Sequence, residues 1–100
     1  MPYKVFYLDI VETDIAEAKQ WYASQQEGLG ARFATAVKEA VESIEKRPLS
    51  YAVRHKNVRI AHTKVFPYNI HFYVDEDKKQ AVIIGIVHGK KKDALFLDRW

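Results

Sequence analysis

The chain has 100 residues, enough for one domain with a modest core, because folding at this length buries only about two-thirds of the surface of the unfolded chain. Hydrophobic residues make up 48% of the chain and aromatic residues 13%, which excludes a disordered protein. The absence of cysteine excludes disulfide bonds and thiolate metal sites and favours a cytoplasmic location. The first ten residues are too short and too alternating for a signal peptide or a membrane span, so no membrane association is expected.

The net charge of +3 is unevenly distributed along the chain. Residues 1–50 carry six Lys or Arg and eight Asp or Glu, whereas residues 51–100 carry ten and five. All four histidines also lie in the second half. A surface that binds an anionic partner would therefore come from the second half. The alternative is an ordinary basic protein with solvated lysines.

The chain begins with a strand and a helix. Residues 3–10 are rich in Tyr, Val, Phe and Ile, which predicts a strand. Thr13 and Asp14 can cap a helix, with Glu17 in the capping-box position. The apolar positions of this predicted helix are Ile15, Ala18 and Tyr22, with Trp21 beside them. The helix is expected to end at the glycines of residues 28–30.

A second helix is predicted after these glycines and ends before Pro48. Its apolar stripe consists of Phe33, Val37, Ala40 and Ile44, widened by Ala36 and Val41. Two helices joined by so short a break should fold into an antiparallel hairpin with one combined apolar face.

The second half predicts three strands, at residues 57–63, 68–74 and 80–87, with a polar hairpin loop, DEDKK, before the last one. In the middle strand, alternate residues from Tyr68 to Val74 should face the core, and the residues between them a half-solvated face. The last strand is apolar on both faces, which indicates a central position.

The predicted fold is therefore α+β: a two-layer sandwich in which an N-terminal strand is followed by an antiparallel helical hairpin packed on a mainly antiparallel sheet of about four strands. The first strand either joins the sheet edge or pairs with the last strand. The segment DALFLDRW, residues 93–100, predicts a short amphipathic helix.

Motifs across nearly the whole chain resemble the RelE/ParE superfamily of type II toxin–antitoxin toxins, in particular its ParE-like, plasmid-stabilisation branch. The motifs are Trp-Tyr late in the first helix, Gly-Leu-Gly-x-Arg-Phe opening the second, Phe-Pro-Tyr entering the middle strand, and Val-His-Gly at the end of the last. The resemblance implies a single toxin domain, residues 1–100, held inactive by a cognate antitoxin. ParE-type members are known as DNA gyrase inhibitors, whereas RelE-type members cut mRNA on the ribosome without a metal.

The resemblance also implies where a nuclease would carry its catalytic groups. Arg59 fills the first basic position and Lys90 or Lys91 the basic position after the last strand. Asn69 stands where RelE-type nucleases usually carry Arg, and Phe96 where they carry Tyr. Neither can stabilise phosphorane charge or transfer a proton. His88 is the candidate replacement for the missing acid or base, because histidine is a residue type that commonly serves as a general acid or base.

A larger group of basic residues predicts a partner-binding rim, because the expected sheet brings the second strand and the end of the last strand to one surface. Its members are Arg54, Lys56, Arg59, Lys64, His88, Lys90, Lys91 and Lys92. For Lys90–Lys92 the competing interpretation is a solvated lysine run.

Other constellations favour structural roles. Trp21 and Tyr22 could stack on bases, but at helical spacing such a pair is more typical of a core. His62 and His71 have no Cys or Glu beside them, so no metal site is predicted, and no cofactor either.

Three functions follow from the sequence: an interaction toxin of the ParE type, a ribosome-dependent endoribonuclease, and a degenerate member that only binds antitoxin. The first is preferred. In it, the antitoxin covers apolar surface on the helical hairpin and the sheet edge.

Overall fold

The computed structural model describes residues 3–89. The elements are β1 (Lys4–Tyr7), α1 (Asp9–Gln25), α2 (Leu29–Lys46), a 3-10 turn (Pro48–Ser50), β2 (Val53–His55), β3 (Val58–His62), β4 (Tyr68–Asp75) and β5 (Gln80–His88). The helices pack on one face of a five-stranded sheet, so the two-layer α+β architecture predicted from the sequence is confirmed.

The first helix begins earlier than the sequence indicated. β1 covers only Lys4–Tyr7, and α1 starts at Asp9, so the predicted strand over residues 3–10 is too long. The predicted capping box is wrong: the N-cap is Leu8, whose side chain makes no capping hydrogen bond, and Thr13 donates within the helix to the Asp9 carbonyl at 3.5 Å. Asp9 and Glu12 in the first turn instead favour this helix start electrostatically.

Two glycines shape the helical hairpin. Gly28 precedes α2 with φ 83°, a left-handed conformation that glycine adopts without steric cost. Gly30 lies against α1, where an added Cβ would stand 2.7 Å from the Lys19 carbonyl oxygen and 2.9 Å from Ala23 Cβ. Early α2 thus contacts late α1, and the two helices are antiparallel as predicted.

The core lies between the helices and the sheet. The predicted stripe of α2 is confirmed, with Phe33 and Ile44 fully buried and Val37, Ala36 and Val41 nearly so. α1 contributes one fully buried residue, Val11. The sheet side of this core consists of Ala61, Phe66, Ile70, Phe72, Ala81, Ile83 and Ile86.

The strand order is β1-β5-β4-β3-β2. β1 pairs in parallel with β5, as one of the two predicted arrangements has it, and the other pairs are antiparallel. β5 is therefore an interior strand, as predicted. β2 is an addition to the expected four strands: its three residues are all exposed, so no hydrophobic pattern revealed it.

The alternation predicted for β4 is confirmed on its helix side, where Ile70 and Phe72 are buried in the core. On the other face His71 is also buried, at 4% exposure. At this position the second face of β4 is therefore less exposed to solvent than predicted. A bulge in β5 between the partners of His71 and Phe72 shifts the alternation, so that Ile83 and Ile86 both reach the core. The DEDKK segment supplies the β4–β5 turn, closed by the Lys78 amide donating to Asp75 Oδ1 at 3.1 Å.

The amphipathic helix predicted for residues 93–100 lies outside the described residues. Within residues 3–89, no helix has the length and apolar character needed to cross a membrane.

Candidate partner-binding site

The strand register separates the cations that the sequence placed on one rim. Arg54 and Lys56 belong to β2 and its turn, near the start of β3, since His55 pairs with Val58. Lys64 follows the end of β3, at the sheet end where His88 pairs with Tyr68. Five residues of strand, about 16 Å, separate these ends. Lys90, Lys91 and Lys92 lie outside the described residues.

Arg59 holds the backbone before β2. Its Nη1 donates to the Tyr51 carbonyl oxygen through a short hydrogen bond and to the Leu49 carbonyl oxygen at 3.4 Å. The side chain lies on the helix face of β3, since its partner Phe72 faces the core. Arg59 therefore fixes the 3-10 turn and the segment that leads into β2 against β3.

His88 and Asn69 have side-chain partners near the end of the sheet. The His88 ring stands edge-on to the Tyr68 ring, with a centroid distance of 5.4 Å. Asn69 Oδ1 lies 2.6 Å from Nδ1 of His62, its partner across the sheet. Asn69 thus contacts an imidazole at the position where the resemblance to RelE-type nucleases would imply an Arg.

Trp21 and Tyr22 have different environments. Tyr22 packs against the core: its ring is stacked on that of Phe33, with a centroid distance of 5.1 Å, and edge-on to that of Phe66, with a centroid distance of 4.9 Å. The prediction that Trp21 is also core is wrong, since it is 57% exposed and touches Tyr22 only edge-on. It lies about 100° around the helix from Tyr22.

The two helices enclose an apolar depression of about 620 Å³, here called the helix groove. Its walls are Tyr7, Ile15, Ala16, Ala34, Val37 and Val41. Its rim carries Glu12, Glu42 and Glu45 with Lys19 and Lys38. An amphipathic segment of a partner could bury its apolar side here, because the lining is mainly apolar and includes charged residues of both signs.

The acidic side of the helix groove acts on Tyr7. Burial raises the pKa of the Tyr7 phenol above its ordinary 10.0, and the carboxylates of Glu45 and Glu12 raise it further. A basic side chain of a partner would be favoured at this end.

A second, smaller depression lies on the other side of α2, here called the turn groove, with a volume of about 320 Å³. It is lined by Arg32, Thr35, Ala36 and Glu39 of α2 and by Lys64, Val65 and Phe66 of the β3–β4 turn. Val65 is 86% exposed, the highest value among the exposed large hydrophobic residues of the described chain. The sequence pointed to Lys64 and to apolar surface on the helical hairpin, but not to the turn groove. The signal for the hairpin surface was the apolar stripe of α2.

A comparison with curated proteins gives no match. Solved structures give similar folds at low identity. The ParDE toxin–antitoxin system of P. aeruginosa matches with a TM-score of 0.71 and 16% identity, covering 86% of this chain and 95% of that one. The toxin–antitoxin complex RelBE2 from Mycobacterium tuberculosis matches with a TM-score of 0.63 and 17% identity, covering 88% and 99%. The archaeal RelE–RelB complex from Pyrococcus horikoshii OT3 matches with a TM-score of 0.57 and 12% identity, covering 92% and 100%.

The family model of the ParE toxin of the type II toxin–antitoxin system parDE matches residues 5–92, which include both helices and all strands of the described residues except the first residue of β1, Lys4. A match over this span fits the order of elements described above, with the N-terminal strand, the helical hairpin and the antiparallel strands in sequence. The chain therefore belongs to the ParE toxin family of type II toxin–antitoxin systems.

Proposed function

We propose that this toxin arrests growth by binding an essential protein, with DNA gyrase as the target, and that a cognate antitoxin neutralises it. The observation that carries the choice of binding over RNA cleavage is the state of Arg59 and Asn69. Arg59 donates to two backbone carbonyl oxygens, and Asn69 contacts His62. Charge stabilisation of a cleaving phosphate needs cations free to approach it, and loss of one such contact costs about 2.7–4 kcal/mol.

The test compares the two activities directly. The purified toxin should inhibit supercoiling by DNA gyrase and leave mRNA intact in a translating extract. Site-specific mRNA cuts that disappear in Arg59→Ala and His88→Ala would instead establish the endoribonuclease, with Lys90 or Lys91 as its further cation. Absence of growth arrest on expression without antitoxin would leave a degenerate member that only binds antitoxin.

Support for an antitoxin partner comes from the neighbouring structures and from the helix groove. The solved structures of RelBE2 and of archaeal RelE–RelB are toxin–antitoxin complexes. The helix groove of this chain offers a partly open apolar surface between α1 and α2, including Ile15 and Ala34, that a partner could cover. The hydrophobic effect favours its burial by about 25 cal/mol per Å².

The docking of the antitoxin in the helix groove can be tested with Ala34→Trp. Ala34 is half-buried in the groove wall, and an indole there fills the groove without adding charge. We expect antitoxin affinity to fall at least about tenfold, equivalent to about 1.4 kcal/mol. Ala31→Trp is the matched control, because Ala31 is exposed on the same helix and lines neither groove. Equal affinity of the two variants would remove the helix groove from the interface.

A further inference from the structure

The turn between β3 and β4 holds Val65 in an unfavourable backbone conformation. Its φ is 72°, and the Phe66 amide donates to the Lys64 carbonyl oxygen at 2.8 Å across it, which defines a tight γ-turn with positive φ. A β-branched residue rarely adopts this conformation, because its Cβ substituents collide with the backbone. Val65 stays there only because surrounding contacts hold it.

Those contacts come from hydrogen bonds on both sides of the turn. The buried Thr63 hydroxyl donates to the Phe66 carbonyl oxygen at 2.5 Å, and the Thr63 amide donates to the Tyr68 carbonyl oxygen at 3.1 Å. The Gly89 amide donates to the Pro67 carbonyl oxygen at 2.5 Å, which ties the turn to the end of β5. The turn is therefore a constrained element.

The side chains of the turn divide between core and solvent. Phe66 is 7% exposed and packs edge-on against the rings of Phe33 and Tyr22, with centroid distances of 5.4 Å and 4.9 Å. Val65 next to it is 86% exposed, so the anchored phenylalanine fixes an apolar side chain in water. An apolar group held rigidly in solvent loses little conformational entropy when a partner covers it, which is the character of a binding anchor.

The turn groove beside Val65 carries a charge preference. Arg32 and Lys64 lie on its rim against one carboxylate, Glu39, so the rim is net positive. The helix groove, on the other side of α2, has three glutamates and two lysines. A segment that fits the turn groove therefore presents an apolar side chain to Val65 and Phe66 and a carboxylate to Arg32 and Lys64.

We propose that the turn groove is a second docking site for the antitoxin, with Val65 as its apolar anchor and an acidic antitoxin segment as its occupant. This inference rests on the proposed function, since it assigns part of the antitoxin interface. It adds a site separate from the helix groove and of opposite charge preference. Glycine would adopt the positive φ of this position with less strain than valine. We attribute the presence of valine here to its role in binding.

The first test is Val65→Gly, measured by calorimetric titration with the purified antitoxin encoded beside the toxin gene. Glycine adopts φ 72° freely, so the melting temperature should stay equal or rise, while antitoxin affinity should fall at least about tenfold. Lys79→Gly is the matched control, because Lys79 is exposed, has φ 54° and lies in the β4–β5 turn at the opposite end of the sheet. The Lys79→Gly variant should bind the antitoxin with the same affinity as the wild type.

The outcomes separate this inference from the proposed function. If the wild type does not bind the antitoxin, the proposed function fails and this site with it. If the wild type binds and Val65→Gly binds equally well, only the turn groove is refuted. A fall in both affinity and melting temperature calls for Val65→Asn, since asparagine also tolerates positive φ. Equal affinity of this folded variant and the wild type overturns the site, and a tenfold loss supports it.

The second test concerns the acidity of the occupant. Lys64→Gln should weaken antitoxin binding about two- to fivefold and reduce its salt dependence, because an exposed charge pair is lost. Glu39→Gln should strengthen binding, because it removes a repulsive carboxylate from the same rim. Effects of the reverse sign would show that the occupant is not acidic and overturn the proposal.

Discussion

The two grooves on either side of α2 differ in how the fold builds them. The helix groove lies between two regular helices, and its apolar walls continue the stripe that fills the core. The turn groove depends on one strained turn, which is held by the Thr63 hydroxyl and anchored in the core by the buried Phe66 side chain. The shape of the helix groove should therefore be unaffected by local changes in the turn. The shape of the turn groove should change with the loss of any contact that holds Val65 in place.

The largest expected effect comes from Phe33→Ala, which removes the ring that packs against Phe66 of the turn groove. Phe33 is fully buried, and its ring centroid lies 5.4 Å from that of Phe66 and 5.1 Å from that of Tyr68. Its truncation should lower the free energy of unfolding by about 3–5 kcal/mol, through lost burial and the cavity that remains. Urea unfolding followed by tryptophan fluorescence measures this loss.

Ile44→Ala provides the comparison at the other end of α2, where Ile44 is also fully buried. It should cost about 2–5 kcal/mol and leave the turn protected from hydrogen exchange at the Phe66 amide. Phe33→Ala should expose that amide. Equal protection of the amide in the two variants would show that the turn does not depend on Phe33.

A smaller effect is expected from Thr63→Val, which keeps the shape of the side chain and removes its hydroxyl. The Phe66 carbonyl oxygen loses the 2.5 Å hydrogen bond from the buried hydroxyl but keeps the one from the Tyr68 amide at 2.9 Å, so the free energy of unfolding should fall by about 0.5–1.5 kcal/mol. Antitoxin binding should weaken as well, because Val65 is less firmly held. The midpoint of urea unfolding and the calorimetric affinity report the two effects.

Thr13→Val is the control for this substitution. Thr13 is exposed on α1, and its hydroxyl donates to the Asp9 carbonyl oxygen only at 3.5 Å, so less than about 0.5 kcal/mol should be lost. Similar losses for the two threonines would mean that the Thr63 hydroxyl does not hold the turn.

The sequence predicted the helix groove better than the turn groove for a physical reason. The stripe from Phe33 to Ile44 recurs at helical spacing, and such spacing determines which side of α2 is buried. The positive φ of Val65 has no sequence signal, because valine is among the residues least expected there. The turn conformation follows from tertiary hydrogen bonds, including one from Gly89 at a distance of 22 residues along the chain.

The start of α1 and the edge strand β2 were missed for a similar reason. Leu8 caps α1 without a side-chain hydrogen bond, so the nearby Thr13 and Asp14 gave a false start. β2 has no buried residue; it pairs with β3, and Arg59 holds the backbone just before it. The cationic rim was predicted without strand registers, which divide Arg54 and Lys56 from Lys64 and His88.

The smallest expected effects come from two tyrosines: Tyr7, which lines the helix groove, and Tyr68 of β4, which packs against Tyr22 and Phe33. The pKa of Tyr7 is raised by burial and then by Glu45 and Glu12, and that of Tyr68 is raised by burial and then by Tyr22. Because both folded-state pKa values lie above the unfolded value of 10.0, each phenol stabilises the fold fully below pH 10.0. This stabilisation is lost as the pH rises through the folded-state pKa.

An ultraviolet titration of the phenols can therefore distinguish the environments of the two tyrosines. Glu45→Gln should lower the pKa of Tyr7 toward its ordinary value and leave Tyr68 unchanged, because carboxylates contribute to the raised pKa of Tyr7, whereas burial and Tyr22 raise that of Tyr68. Tyr7→Phe and Tyr68→Phe identify the two late-titrating groups, and each should make unfolding less sensitive to alkaline pH. If Glu45→Gln shifts both tyrosines equally, the Glu45 carboxylate also acts on Tyr68, and the separate causes given for the two raised pKa values are wrong.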